Sequence, residues 1–192
     1  MPKVTAESIG EFYQHYPKVA AIVTASARGK KNAMAAAWHS ALSFKPPLYG
    51  VAIAPKRFTC QLILESKEFG INFVPFEIAE LIASVGGSGG KELDKFHKFR
   101  IAEEKPLKTS VPILKDAYAA YECKLVDNET YGDHVWIVGE IVAVHFAKDI
   151  FTAKGALDLN KLNPALYLGA EIYATVDRGS VLLLDRETYG KR

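Results

Sequence analysis

The amino-acid sequence predicts a mainly β protein, a closed antiparallel barrel with helices at its periphery. Short strand-like segments bounded by turn residues recur along most of the chain, and only two or three helical patterns interrupt them. The chain has 192 residues, of which 49% are hydrophobic. A chain of this length and composition can bury a substantial core, so we expect residues 1–192 to form a single domain.

The N-terminal part of the chain predicts one helix followed by a meander. Apolar side chains at helical spacing precede Pro17, which predicts a short packing helix within residues 1–16. Three strands are expected next, at residues 19–25, 32–38 and 48–54. The alanine-rich middle one of these could be helical by propensity, but turn residues on both sides favour a strand.

The remainder predicts two helices and a long hairpin. Helices are expected at residues 59–66 and 75–85, separated by a strand at 69–74 and followed by the glycine-rich loop 86–91. Strands 117–126 and 134–145 form the hairpin around a turn at 130–133, and the last strands are expected at 165–169 and 180–184. Residues 92–112 and 148–164 are polar connections.

Charge and cysteine content exclude several classes of protein. Twenty-four basic and 22 acidic residues leave a net charge of +2, too small a field to hold a nucleic acid or an anionic membrane. Cys60 and Cys123 lack CxxC spacing, which predicts reduced thiols. The N-terminus lacks the pattern of a secretory signal, and residues 32–44, the longest stretch without Asp, Glu, Lys or Arg, are too few to span a membrane. We therefore expect a soluble, cytoplasmic protein.

Three familiar catalytic motifs do not fit. Gly86, Gly90 and Lys91 resemble the end of a P-loop, but one residue is missing between the glycines and Glu92 stands where Ser or Thr should bind magnesium. The loop is therefore either simply flexible or a mobile lid that ends in a cation, Lys91 or Lys95. The histidines show no zinc-site spacing, so no metal is expected, and no serine nucleophile elbow is present.

Two short segments are candidates for a binding site. Lys56, Arg57 and Thr59 lie at a predicted helix start, where free amides and the helix dipole favour a phosphate-sized anion. The alternative is an ordinary capped surface helix. The second segment, Gly132-Asp133-His134, places an imidazole on a hairpin turn, where it is either functional or simply solvated.

The order of several short segments resembles the flavin reductase-like, FMN-binding split-barrel family, and its flavoredoxin-type members in particular. The resemblance runs from Pro17 to Leu184. Its segments are Pro17-Lys18-Val19, Asn32-Ala33-Met34 with Trp38, Ser43 to Pro47, Arg57-Phe58-Thr59, Glu68 to Asn72, Asp94-Lys95-Phe96, and Tyr131 to His134 leading into Val138 to Ile141.

The resemblance implies a six-stranded antiparallel Greek-key split β-barrel that forms a homodimer with FMN near the subunit interface. It also implies the residues of the cofactor site, which are Asn32, Met34, Ala36, Trp38, Arg57, Thr59, Asn72, Lys91, Lys95, His134 and Tyr167. Arg57 and Thr59 would hold the phosphate, and His134 would lie beside the flavin as the catalytic residue. Many relatives carry hydroxyl side chains where this chain has Ala35, Ala36 and Ala37, so those contacts are not expected here.

The function implied by the resemblance is NADH- or NADPH-dependent reduction of bound FMN, with electrons passed to free flavin, a ferric complex or a redox partner. A flavoredoxin-like electron carrier that does not oxidise nicotinamide is the alternative, because the fold would be the same. A split-barrel oxidase of pyridoxine phosphate is a weaker possibility, since the Gly-Asp-His segment fits the reductase branch better.

Overall fold

The computed structural model describes residues 1–190 as a β-rich fold with short helices. Its strands are β1 (Lys18–Val19), β2 (Ala21–Ala27), β3 (Lys30–Ala36), β4 (His39–Phe44), β5 (Pro47–Ile53), β6 (Glu68–Phe73), β7 (Glu103–Glu104), β8 (Ile113–Leu114), β9 (Ala119–Tyr131), β10 (His134–Phe146), β11 (Leu166–Gly169) and β12 (Ile172–Ala174). The α-helices are α1 (Phe58–Ser66), α2 (Ala79–Gly86), α3 (Lys95–Lys98) and α4 (Arg186–Tyr189). Within residues 1–190 no helix is long and apolar enough to cross a membrane.

The main sheet has seven strands in the order β3-β2-β6-β9-β10-β5-β4. Its two edge strands, β3 and β4, are consecutive in the chain and only Ala37 and Trp38 lie between them. Three Cα steps span at most about 11 Å, so the sheet must curl until its two edges approach each other. The predicted antiparallel barrel class is therefore confirmed, with seven strands in the main sheet rather than the expected six because β4 was not foreseen.

The β9–β10 hairpin is the longest feature of the sheet and ends in a tight turn. His134 pairs with Tyr131, and Gly132 in the turn has a φ of +61°. That left-handed conformation suits glycine, which carries no Cβ. The predicted hairpin is confirmed, although β9 extends to Tyr131 instead of ending at residue 126.

The core lies on both sides of the sheet. Inside the barrel, Val23, Ile53 and Phe69 pack against Cys60 and Ile63 of α1. A second cluster outside the barrel places the apolar face of α2 against β2 and β3 through Ile22, Ala33, Ile82 and Val85. The two helices therefore sandwich this part of the sheet. Both cysteines are free thiols buried in the core, where burial raises their pKa.

A buried carboxylate fastens the loop before β8 to the sheet. Glu122 on β9 accepts hydrogen bonds from the backbone amides of Leu107 (2.6 Å), Lys108 (2.8 Å) and Thr109 (2.8 Å), and it contacts Nε2 of His145 at 2.6 Å. Burial raises the pKa of Glu122, but these hydrogen bonds outweigh it and hold the pKa at about 2. The carboxylate is therefore ionised at neutral pH.

Two predicted elements are wrong. Residues 1–16 form turns instead of a packing helix, because Gly10 and Phe12 have φ values of +55° and +61°, which a right-handed helix cannot contain. The predicted strand 180–184 is not a strand. Its apolar residues from Val181 to Leu184 are 59–84% exposed and join no sheet.

Smaller differences concern helix ends and short elements. The predicted helix 75–85 begins as a 3₁₀ turn at Phe76–Ile78 and becomes α-helical only at Ala79. The polar connections also contain elements that were not predicted, namely α3 and β7, and β12 follows β11. These elements are only two to four residues long, too short for a periodic pattern to reveal.

Candidate functional site

A groove with a volume of about 670 Å³ opens beside the edge strand β3. The end of β3, the start of α1, the loop between α2 and α3, the β9–β10 turn and the N-terminal segment all contribute to its wall. Its lining includes Tyr16, Asn32, Met34, Ala35, Ala36, Trp38, Arg57, Thr59, Gly90, Lys91, Lys95, Asp133, His134 and Tyr167. The groove is thus assembled from segments that are far apart in the sequence.

The open edge of β3 supplies backbone polar groups to this groove. The carbonyl of Ala33 accepts a 2.9 Å hydrogen bond from Nζ of Lys95, so it points away from β2. Backbone groups of alternate residues on a strand point to the same side, and those of Ala35 therefore also face the open edge. Because Ala35 lines the groove, these groups are available to a ligand.

Lys95 is a buried cation that ties three elements together. Its side chain is 2% exposed, and Nζ also donates to the carbonyl of Val85 on α2 at 2.6 Å. Burial, and then repulsion from Arg57, lower the pKa of Lys95 to about 8. Lys95 is therefore still largely charged at neutral pH, but its pKa is close enough to 7 that a further charge in the groove would change its protonation.

Asn32 presents a buried acceptor with no partner in the described part of the chain. Its Nδ2 donates to Oγ1 of Thr59 at 2.8 Å, whereas Oδ1 makes no hydrogen bond. Gly90 lies directly against this amide, and a Cβ at position 90 would collide with it. A buried amide oxygen without a partner is costly, so its presence in a groove points to a ligand that donates a hydrogen bond.

The start of α1 is the cationic part of the groove. Arg57 is the N-cap residue, its side chain makes no capping bond, and the first turn carries no acidic residue. Lys56 and Lys91 line the same groove. Free amides in the first helical turn, together with these cations, form a site suited to a phosphate.

An aromatic pair borders the groove at the hairpin turn. The rings of Trp38 and His134 lie 4.8 Å apart at 44°. Nε1 of Trp38 donates to the hydroxyl of Tyr16 at 2.8 Å, and Nδ1 of His134 lies 2.7 Å from Oδ1 of Asp133. The hydrogen bond from His134 lowers the pKa of Asp133. Both rings are thus held in place by polar partners.

Ten of the eleven predicted cofactor residues line this groove. They are Asn32, Met34, Ala36, Trp38, Arg57, Thr59, Lys91, Lys95, His134 and Tyr167. Asn72 is the exception, because it does not line the groove. Its Nδ2 donates to the carbonyl of Ile22 at 3.1 Å and its Oδ1 accepts from the amide of Leu114 at 2.9 Å, so it joins β6, β2 and β8 outside the groove.

Several groove residues were missed by the sequence reasoning. Tyr13 and Tyr16 line the groove from the N-terminal segment, where their spacing had predicted only a packing role. Gly90 was noted as part of a loop, but its contact with Asn32 involves residues 58 positions apart, so no local pattern could reveal it. Lys56, in contrast, belongs to the anion site predicted at the start of α1, and it lines the groove.

Comparison with known proteins identifies one family. The flavin reductase like domain matches residues 13–175. An uncharacterised protein of Aeropyrum pernix is 35% identical over 157 residues, which are 80% of this chain and 58% of that protein. The chain thus spans less than two thirds of that relative. The ferric-chelate reductase (NAD(P)H) of Archaeoglobus fulgidus is 31% identical over 129 residues, which are 67% of this chain and 75% of that one.

The solved structures agree with the sequence matches. An FMN-binding protein from Thermus thermophilus with bound 1-cyclohex-2-enone superposes with a TM-score of 0.85. It is 34% identical, and the alignment covers 95% of this chain and all of that one. Its architecture is therefore that of the present chain.

Proposed function

The chain belongs to the flavin reductase-like family, and from this premise we propose that it is an oxidoreductase that binds FMN in the groove beside β3. The observation that carries the proposal is that a buried, unpartnered acceptor, an open strand edge and a cationic helix start line one groove. Similarity to the FMN-binding protein of Thermus thermophilus supports the choice of cofactor.

The residues present fit the two chemically different parts of FMN. The isoalloxazine ring has an edge with one N–H group and two carbonyls, which suits the free Oδ1 of Asn32 and the exposed backbone of Ala35. Gly90 lies against the same amide, where an added Cβ would collide with it. Lys56 and Arg57 at the start of α1, together with Lys91 in the loop between α2 and α3, would hold the phosphate.

FMN, when bound, supplies a ring that accepts and releases hydride. Lys95 contributes positive charge on the β3 side of the groove, where it would stabilise negative charge on a bound ring. Because Asp133 accepts the Nδ1 proton of His134, Nε2 is the nitrogen that can exchange a proton with a reactant.

We further propose NADH or NADPH as the electron donor and a small molecule or redox protein as the acceptor. The relative named as a ferric-chelate reductase (NAD(P)H) supports this donor. The described residues also carry exposed apolar side chains, among them Leu42 (45%), Phe44 (94%) and Leu183 (84%), which a second copy of the chain would cover. A cytoplasmic homodimer is therefore part of the proposal.

Anaerobic absorption spectroscopy tests the proposed function. The purified protein, supplemented with FMN, should show flavin bands that bleach when NADPH or NADH is added. Bands that persist with both nucleotides but bleach with dithionite would overturn nicotinamide oxidation and indicate an electron carrier. A protein that retains no FMN would overturn the cofactor proposal. Light scattering of the same sample tests the homodimer.

A further inference from the structure

A second cavity adjoins the flavin groove across the Trp38–His134 pair. This aromatic cleft has a volume of about 420 Å³ and is lined by Trp38, Ala52, Tyr131, Asp133, His134 and Trp136. Four of these residues also line the groove, whereas Tyr131 and Trp136 line the cleft alone. The two spaces therefore meet at the aromatic pair.

Three of the four rings that line the aromatic cleft are held in position by other groups of the chain. The ring of Trp136 lies over Gly50 on β5, where an added Cβ would be 2.7 Å from its Cε2 atom. Trp38 is held by Tyr16, and His134 by Asp133. Fixed aromatic walls lower the entropic cost of binding, so the cleft can act as a binding site.

The chemistry of the lining selects the class of ligand. Four aromatic rings and the small side chain of Ala52 favour a planar ring, which stacks on aromatic faces. Asp133 is the one formally charged lining residue among those described, and its lowered pKa keeps it ionised, so an anionic ligand is disfavoured. Nε2 of His134 is one polar group available to a ligand, because Nδ1 already contacts Asp133. The hydroxyl of Tyr131 and the indole N–H of Trp136 belong to the same lining.

We propose that the aromatic cleft binds an uncharged monocyclic aromatic compound that carries a hydroxyl or ring carbonyl group. A neutral imidazole with its proton on Nδ1 accepts a hydrogen bond from a hydroxyl at Nε2, and the protonated imidazole donates to a carbonyl. Binding uses only residues of this chain. The assignment of the cleft as the site of the electron acceptor rests on the proposed function.

Intrinsic fluorescence reports directly on occupancy of the cleft. The chain contains two tryptophans, Trp38 and Trp136, and both line it. Titration of FMN-free protein with 4-methylphenol, under tryptophan-selective excitation, should give a saturable change. Tyr131→Ala should weaken binding about tenfold through the loss of one aromatic contact. Tyr131 is 66% exposed, so its removal should leave the fold intact.

One control variant and two control ligands test whether binding is specific to the aromatic cleft. Phe146→Ala removes a ring of similar exposure (58%) from the far end of β10 and should leave the affinity unchanged. Two ligand controls, 4-methylcyclohexanol and 4-methylbenzoate, should bind at least tenfold more weakly because one is not planar and the other is anionic. A linear, non-saturable change, equal binding by Tyr131→Ala, or equal affinity for either control ligand would overturn the proposal.

A second titration separates this proposal from the proposed function. Calorimetry with 4-methylphenol on FMN-loaded protein should give a similar affinity, because Tyr131 and Trp136 lie outside the flavin groove. If the protein fails to bind FMN but binds 4-methylphenol in a Tyr131-dependent way, the proposed aromatic site stands and the proposed flavin function is wrong. If the protein binds FMN but not 4-methylphenol, only the proposal of the aromatic site is wrong.

Discussion

Replacing Gly90 by alanine should weaken FMN binding and destabilise the fold, whereas replacing the adjacent Gly89 should do neither. A Cβ on residue 90 would overlap the side-chain amide of Asn32, but a Cβ on residue 89 would meet nothing within 4 Å. Neither glycine is among those with a positive φ, so alanine is compatible with the backbone at both positions. The two variants therefore differ mainly in this one contact.

The magnitude follows from how firmly Asn32 is held. Asn32 is 2% exposed, and its Nδ2 bonds Thr59 at 2.8 Å. If the amide moves, that bond is lost at a cost of about 1 kcal/mol. If the loop moves instead, overpacking of a buried site costs about 1–3 kcal/mol. Either displacement disturbs the acceptor that we propose for FMN, so we expect roughly tenfold weaker FMN binding, the equivalent of about 1.4 kcal/mol.

Flavin fluorescence titration and urea unfolding measure these two effects. Alanine lowers the conformational entropy of the unfolded chain relative to glycine, which stabilises both variants by about 0.4–1 kcal/mol. The difference in stability between the two variants therefore isolates the contact with Asn32. Equal FMN affinities for Gly90→Ala and Gly89→Ala would refute the placement of Asn32 in the cofactor site. Lower stability of Gly90→Ala with unchanged FMN affinity would show that the contact is structural only.

Three further predictions concern charged groups. Arg57→Met should weaken FMN binding about tenfold in the same titration by removing a phosphate contact, whereas Arg28→Met, at a distant exposed arginine, should not. FMN affinity should fall as the pH rises through about 8, where Lys95 loses its charge, and Lys95→Met should abolish this step; a step that persists in the variant would assign it to another group. The pKa of Glu122 lies at about 2 rather than 4.5, so its contribution to stability is complete above pH 4.5 and is lost as the pH falls towards 2. That contribution is roughly 3 kcal/mol, and urea unfolding of Glu122→Gln should show a correspondingly smaller loss of stability between these pH values than the wild type.

The sequence predicted those elements whose signal is local. The β9–β10 hairpin has two alternating strands on either side of a turn, and α1 follows the short segment Pro55-Lys56-Arg57; both elements are present. The N-terminal segment has helical spacing too, yet contacts between Tyr13, Tyr16 and Tyr167 hold it as a series of turns. Its conformation therefore depends on residues more than 150 positions away, which a local pattern does not contain.

The candidate site was predictable where a residue's role depends on its own segment. Arg57 begins a helix and His134 begins a strand after a turn, and both were found from these positions. Asn72 shows the opposite case. Its side-chain amide hydrogen-bonds the neighbouring strands through both Nδ2 and Oδ1. The sequence around an asparagine on a buried strand is the same whether its amide binds the protein or a ligand. Only the three-dimensional hydrogen-bond partners distinguish the two roles.

The connection between β3 and β4 explains why this barrel retains an open edge. Ala37 and Trp38 carry the chain directly from one edge of the sheet to the other, so the two edges approach without forming a ladder between them. Exposed strand edges are normally covered, because their polar groups otherwise pair with other chains. Lys95 covers the edge of β3 at Ala33, but no side chain of comparable length lies opposite Ala35 among the hydrogen-bonded partners described. The proposed cofactor, with its own donors and acceptors, would complete the edge there, and Trp38, at the end of the same connection, would then lie beside it.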